Sequence, residues 1–431
     1  MRRKRERKVR KVDERLYLDE KIELEKEYDE LRRASRPSAT KYMHLHYKPY
    51  KRAKYILDIT KGNLEETVNN IANWITIPQI NLEKVLDYIH NEIGKIDVPG
   101  YSWAIVKNGL LVEAGGNGWA RGPSDSNPRI MDENTKMVSG SMAKSICAVA
   151  IMQLVEKNKI NLNDKFYPLV DKFYNANASA KVKQLTIRNL LEHSTGFVHK
   201  AISDMSNLDW LNNYIVEQLE SSPDSPNGSS YANANYILLA RVVESVSNKN
   251  YIDYVQDNIV KVLNNYAPTT ILTNKEENNP CLYYESDEYS SSGNIGDIPS
   301  DWQGATGWYA SAIDWAKFLA VFRYNKLVSK ETKEQMIEYR QNYEKGSFGF
   351  WKFGDNKPFG TYYHGGAQNS KNCKGGFYGK MISFPNNIDI VLLTNRKMWK
   401  AEEGKRLSII LREAYLAGFG ITNDGSIITD L

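Results

Sequence analysis

Eleven residues from Ser145 to Val155, Ser-Ile-Cys-Ala-Val-Ala-Ile-Met-Gln-Leu-Val, are nearly all apolar. A helix that is apolar all round is a buried one, so the fold has to be built around this segment. The four residues before it, Ser141-Met142-Ala143-Lys144, set a serine at the mouth of that helix and a lysine three positions on, on the same helical face. A serine hydroxyl is a weak nucleophile until a base takes its proton. A desolvated lysine amine can be that base, because burial lowers its pKa. Unpaired N–H groups and the dipole at the helix start favour negative charge developing beside Ser141. A serine and a lysine at this spacing also arise by chance, so the reading depends on what else the chain carries.

A length of 431 residues suits one large or two modest domains. Apolar content of 41% and charged content of 25% are those of a globular protein. The net charge of +5 misleads: residues 1–11 hold eight basic residues against Glu6, a balance of +7, which leaves the other 420 residues at −2. A body so near neutrality offers no basic surface for nucleic acid. The tail itself suits a nuclear localisation signal, or a contact with nucleic acid or an acidic partner, as well as it suits a solvated extension. Cys147, Cys281 and Cys373 are odd in number and far apart, which fits neither a disulfide framework nor a metal site. No apolar stretch of signal-peptide type opens the chain and no run of 18 apolar residues occurs. The expectation is a soluble, intracellular protein with no membrane span.

Residues 12–33 alternate in charge, and Leu16, Ile22, Leu24, Tyr28 and Leu31 make a ragged stripe, which predicts a solvated helix more readily than a partner-binding coiled coil. Residues 34–40 have linker composition. The expected divisions are an extension and linker over 1–50, a folded domain over 51–421 and a short tail over 422–431. Within the domain, helices are predicted between 62 and 95. Two β-rich runs flank Asn108-Gly109, a hairpin turn signal. Helical patterns dominate from 141 to 263, with a helical insertion over about 157–300. In Leu185–Gly196, Thr186 is placed to cap a short helix and Gly196 to lie past its end. Residues 274–301 have the composition of a long irregular loop. Ser311-Ala-Ile-Asp314 is a capping box. Strands are predicted at 347–353, 359–366, 376–384 and 388–394, with Pro385-Asn386-Asn387 turning between the last two, and a helix near 403–416. The predicted fold class is α/β of the α+β kind: one antiparallel sheet shared by both ends of the domain, flanked by helices, with an all-helical region inserted.

Two further elements give Ser141 and Lys144 company. Tyr231-Ala232-Asn233 offers a phenol that could relay protons beside a lysine, and an amide that could hold both the lysine and a substrate. His364-Gly365-Gly366 lies on a predicted strand, where the glycines let a substrate backbone approach and the imidazole supplies an adjustable charge or donor. Zinc chemistry finds only His44-Leu-His46, in a linker. An α/β-hydrolase elbow fails because Ser139-Gly-Ser-Met-Ala lacks the final glycine. His193-Ser194 suggests a nucleophile pair but fits helix-end packing better. No metal or cofactor is expected.

In this order, the three elements resemble the serine β-lactamase and penicillin-binding protein superfamily, in its class C-like branch of D,D-peptidases, esterases and D-aminopeptidases. Thr186–Gly196, Ala234–Leu239, Gly307-Trp-Tyr-Ala-Ser and Ile390–Asn395 are similar to that family's framework, and the resemblance covers roughly 80–420. It implies a β-lactamase/transpeptidase-like fold in which Ser141 is acylated while Lys144 and Tyr231 share proton transfer. It implies that Asn233 binds substrate and orients Lys144, and that His364 helps bind a substrate carboxylate or polarises Tyr231. Gly365 and Gly366 would line the substrate edge, with the N–H groups of Ser141 and Ala367 as oxyanion hole. The implied substrates are small esters, amides or β-lactams, and a homo-oligomer is compatible. His364 stands where many relatives carry lysine, a feature of peptidase- and esterase-like members. The segment after Gly366 is longer and more polar than the short turn of the family. The rival expectation is a catalytically weak scaffold or assembly protein acting through its basic tail.

Overall fold

A computed structural model describes residues 80–96, 98–199, 208–223, 231–266, 280–285, 293–295, 302–338, 348–351, 362–369, 375–396 and 406–421. The basic tail, the predicted helix at 12–33, the linker, His44, His46 and Cys373 lie outside these residues.

The hairpin forms where Asn108-Gly109 predicts it. Strand β1 (Gly100–Lys107) turns through Asn108 at φ 51° and Gly109 at φ 78° into β2 (Leu110–Arg121). Positive φ at both turn residues matches the twist of the paired strands. A short β3 (Arg129–Ile130) adds to β2. The other half of the sheet comes from the far end of the domain: β4 (Tyr362–Asn369), β5 (Gly376–Phe384) and β6 (Ile388–Thr394). The order is β3-β2-β1-β6-β5-β4, antiparallel at every described pairing. Ala104 faces Val391 and Ile105 faces Ile390 across the seam that joins the two ends of the chain. As predicted, 385–387 turns between β5 and β6, with Asn386 and Asn387 at positive φ. β4 runs three residues beyond its predicted end because Ala367, Gln368 and Asn369 continue the pairing with β5. The strand predicted at 347–353 is reduced, among its described residues 348–351, to one bridge between Trp351 and Tyr363.

Strand alternation divides the interior into two cores. Trp103, Ile105, Ile382, Ile390 and Leu392 pack with Leu86, Ile89, Ile410 and Leu411, from α1 (Leu82–Ile93) and a later terminal helix. Ala104, Val106, Met381, Val391 and Leu393 face the larger core. The centre of that core is α2 (Ala143–Glu156), buried from Ala143 to Leu154. Burying an Ile or Leu side chain is worth about 1.5–3 kcal/mol, so an apolar helix in this position is a main source of stability. Around it stand α3 (Ile187–Leu191), α4 (Leu208–Glu220), α5 (Asn233–Ser247) and α6 (Ala312–Arg323); the terminal helix is α7 (Leu407–Gly418). The capping box predicted at Ser311 and Asp314 is present. Thr186 caps α3, but the helix ends at Leu191, five residues before Gly196, because His193 itself takes the left-handed backbone at φ 56°. In the loop predicted at 274–301, Leu282–Tyr283 pairs with Asn294–Ile295.

Candidate active site

Ser141 lies in a single 3-10 turn, Gly140–Met142, that leads into α2. That turn is wedged against β4. A β-carbon on Gly140, whose φ is 49°, would fall 2.8 Å from the Ala367 nitrogen, and one on Gly366 would fall 2.2 Å from the Ser139 carbonyl oxygen. Glycine at both positions lets the two backbones touch. The contact sets Ser141 beside Ala367, the two residues whose N–H groups the family resemblance pairs. Strand geometry aims the second of these groups. Tyr363 exchanges both backbone hydrogen bonds with Trp351, at 2.8 Å each, on the side of β4 away from β5. Residues two and four further on, Gly365 and Ala367, therefore turn their N–H and C=O groups to that same edge.

Lys144 is fully buried and its Nζ has three oxygen neighbours: Ser141 Oγ at 3.1 Å, Asn233 Oδ1 at 2.8 Å and the Ala305 carbonyl at 2.9 Å. Burial pulls its pKa down to about 7. As a free amine it would donate two hydrogens, to Asn233 and Ala305, and turn its lone pair to the Ser141 hydroxyl. Tyr231 donates its O–H to Ser141 Oγ at 2.6 Å. Its ring lies 4.9 Å from Lys144 Nζ. Burial raises the Tyr231 pKa, so the resting group is a phenol. Ala232 has extended backbone and Asn233 opens α5, which delivers Tyr231 and Asn233 to the same place from one turn of chain.

His364 is buried, and burial together with the charges of Lys144 and Lys380 holds its pKa down at about 3. Its Nδ1 lies 2.7 Å from the Gly365 carbonyl, an acceptor, so the ring hydrogen is on Nδ1 and Nε2 is bare. The positive charge expected of this residue is absent at neutral pH. A cation is present one strand away. Lys380 of β5 reaches across Gly365, where a β-carbon would come within 2.3 Å of its Nζ. The ammonium lies 5.6 Å from the centre of the Trp351 ring and 5.3 Å from that of Tyr363. Burial, then the charge of Arg406, lowers its pKa to about 8. The Trp351 ring also stands 5.4 Å from His364 and 6.4 Å from Tyr231.

The structure thus gathers Ser141, Lys144, Tyr231 and Asn233 into one hydrogen-bonded cluster and sets Gly366 and Ala367 against its serine. His364 joins them through its ring contact with Trp351. Ala305, Trp351 and Lys380 were not legible as site residues. A carbonyl leaves no signature in a side-chain pattern, and Lys380 comes to the site through the vacancy that Gly365 leaves on a neighbouring strand. The polar segment after Gly366 has a structural use: Gln368 accepts the Thr306 hydroxyl at 2.6 Å, tying β4 to the loop that carries Ala305.

The Beta-lactamase family model matches residues 86–413. Protein flp of Staphylococcus aureus (strain MW2) is 26% identical over 209 residues, 46% of this chain and 40% of that one, so the chain spans well under two thirds of that relative. Teichoic acid D-alanine hydrolase of Staphylococcus aureus (strain MRSA252) is 23% identical over 352 residues, 80% of this chain and 81% of that protein. The octameric penicillin-binding protein homologue from Pyrococcus abyssi has a TM-score of 0.61 at 22% identity, covering 81% of this chain and 79% of its own, which shows a shared fold. No helix among the described residues is long and apolar enough to cross a membrane. With a family match over well more than half its length, the chain belongs to the beta-lactamase family.

Proposed function

We propose that the protein is a serine acyl-hydrolase acting on small esters or amides. The observation that carries the reading is the 3.1 Å contact between Ser141 Oγ and Lys144 Nζ, with the lysine pKa drawn down to about 7. A base with a pKa near the working pH is the one best able to take a proton in the transition state. In the proposed cycle, Lys144 as free amine takes the proton of Ser141 as Oγ attacks the substrate carbonyl. The oxyanion is held by the N–H groups of Ser141 and Ala367. The proton then passes from Lys144, with Tyr231 as relay, to the leaving alcohol or amine as its bond to the carbonyl carbon breaks. Water attacks the acyl-enzyme, gives a proton back through the same pair, and releases the acid with Ser141 restored. Asn233 keeps Lys144 in line and offers its amide to the substrate. Gly365 and Gly366 keep the edge of β4 clear, and His364 takes part as a neutral acceptor through Nε2.

A substrate bearing an anionic end would meet the charge of Lys380 beside Gly365, a role His364 cannot fill while neutral. The teichoic acid D-alanine hydrolase among the relatives supports D-alanyl esters as a first class to try. The octameric homologue supports a homo-oligomer, which light scattering would read as a mass above 49.3 kDa. The deciding experiment is an intact-mass time course with a penicillin and with an activated ester, on the protein and on Ser141→Ala. An acyl adduct that needs Ser141 is the expected result. Adducts on both chains, or turnover untouched by Ser141→Ala, would place the nucleophile elsewhere.

A further inference from the structure

α3 ends in a way that singles out His193. The His193 N–H donates to the Leu190 carbonyl at 3.2 Å and the Ser194 N–H to the Asn189 carbonyl at 2.9 Å. These paired bonds close a helix on a left-handed residue, a position that glycine fills without steric cost. Here the residue is His193, at φ 56°. Histidine enters this backbone more readily than most side chains but less freely than glycine, and the other non-glycine residues at positive φ among those described are all asparagine, which turns attention to what the His193 side chain does.

The side chain reaches the segment that holds the site's phenol and amide. The imidazole is 4% exposed and lies between two rings, Tyr231 at 4.5 Å and 32°, and Tyr236 at 5.1 Å and 36°. Its Nδ1 is 3.3 Å from the Ala232 nitrogen and 3.0 Å from Asn235 Nδ2. The orientation of Asn235 is set from its other side, where Thr195 Oγ1 donates to Asn235 Oδ1 at 2.8 Å. That hydroxyl in turn accepts the Phe197 N–H at 3.2 Å, which leaves its own hydrogen for Asn235. Both groups facing Nδ1 are therefore donors, so Nδ1 is the bare acceptor and the ring hydrogen is on Nε2.

We propose that His193 is a positioning residue of the hydrolytic site, holding Tyr231 and Asn233 against Ser141 and Lys144 by accepting the Ala232 N–H and backing the Tyr231 ring. The proposal rests on the acyl-hydrolase reading. Ala232 lies between the two working residues, so one hydrogen bond to its N–H fixes both. Tyr231 then keeps its 2.6 Å contact with Ser141, and Asn233 its 2.8 Å contact with Lys144. The geometry also explains why the short helix α3 sits at the foot of the site although none of its residues touches Ser141 in the described contacts.

The test uses the full chain and hydrolysis of p-nitrophenyl acetate, read as kcat, KM and the pH dependence of kcat/KM. His193→Phe keeps the ring and removes the acceptor. His193→Asn removes the ring, but sets an acceptor near the place of Nδ1 and tolerates the left-handed backbone. Asn235→Asp turns an acceptor toward Nδ1 and draws a hydrogen onto it, so the Ala232 N–H loses its partner without any change at residue 193. A small displacement of working groups costs up to about 100-fold, so kcat should fall roughly 10- to 100-fold in His193→Phe, with KM within about threefold. The acidic limb of kcat/KM should move upward, as Lys144 loses the enclosure that lowers its pKa. His193→Asn should recover most of kcat and the original limb, and Asn235→Asp should resemble His193→Phe. If His193→Phe does not fold, Asn235→Asp against His193→Asn carries the same comparison. Unchanged kcat and pH limb in His193→Phe, or losses in all variants that follow melting temperature alone, would overturn the proposal. A wild-type Ser141 that no ester acylates would overturn the hydrolase reading, and the proposal with it.

Discussion

Two buried lysines stand on either side of the candidate site, and the protein treats them differently. Lys144, on the helical side, is ringed by three oxygens within 3.1 Å. Lys380, on the sheet side, lies against a glycine and two aromatic rings, with no carboxylate partner among the described residues. Burial lowers both pKa values, to about 7 and to about 8. What separates them is what each can do with its proton. Lys144 has acceptors for its hydrogens and a serine for its lone pair, so it can exchange a proton. Lys380 has π faces that favour the ammonium and, among the described residues, no hydroxyl hydrogen-bonded to its Nζ, which suits it to presenting charge. The same residue type, similarly buried, is set up for proton exchange in one place and for holding an anion in the other, as the proposed function requires.

Breaking the first half of that comparison has the largest expected effect. Lys144→Met removes the base while keeping the length and apolar stem of the side chain. Loss of a positioned general base costs about 10²–10⁴-fold, and the acylation rate of Ser141 should fall by that order. Rapid-quench intact mass with an activated ester measures it. A rate within tenfold of wild type would mean that another group deprotonates Ser141.

Lys380→Met sharpens the second half. It should raise KM for a carboxylate-bearing ester about tenfold and leave a neutral ester within twofold, since a charge-assisted contact to a buried ammonium is worth about 1.5 kcal/mol or more. The pH profiles add an independent check. Lys144 works as a free amine, so kcat/KM rises with pH through about 7 for every substrate. Lys380 works as a cation, so an anionic substrate loses kcat/KM as pH rises through about 8, and a neutral one does not. His364, held near 3, adds no limb in this range. Parallel kinetics on a matched ester pair decide the matter: equal alkaline limbs for both esters would remove Lys380 from substrate recognition.

The same two regions differ in how far the amino-acid sequence discloses them. The helical side was open to reading because its chemistry sits in short runs: Ser141 and Lys144 one helical turn apart, Tyr231 and Asn233 two residues apart. The apolar run 145–155 and the capping residues Thr186 and Ser311 placed their helices for local reasons. The sheet side was harder. Whether β4 ends at Gly366 or Asn369 is decided by β5, and the lysine that comes to its edge belongs to β5 through the Gly365–Lys380 register. The neutrality of His364 and the left-handed turn at His193 likewise depend on surroundings that no local pattern carries.

The smallest expected effect tests the boundary of the working cluster. Ser145, one residue after Lys144, is the nearest competitor for the role of nucleophile in sequence. Its hydroxyl is fully buried and donates to the Gly349 carbonyl at 2.5 Å, a partner outside the cluster of Ser141, Lys144, Tyr231 and Asn233. Ser145→Ala removes that bond and leaves a buried carbonyl short of one donor, which costs about 1 kcal/mol and lowers the melting temperature by roughly 1–2 °C in a domain of this size. Turnover should stay within about twofold, because Ser145 contributes no partner to Ser141, Tyr231 or Asn233, and a loss of stability well short of unfolding leaves the site populated. Calorimetry and ester turnover on the same preparation separate the two effects. A loss of turnover comparable to that of Ser141→Ala, with the melting temperature intact, would show that the serine one residue past Lys144 belongs to the chemistry and that the division between the catalytic and the supporting face of α2 has been drawn in the wrong place.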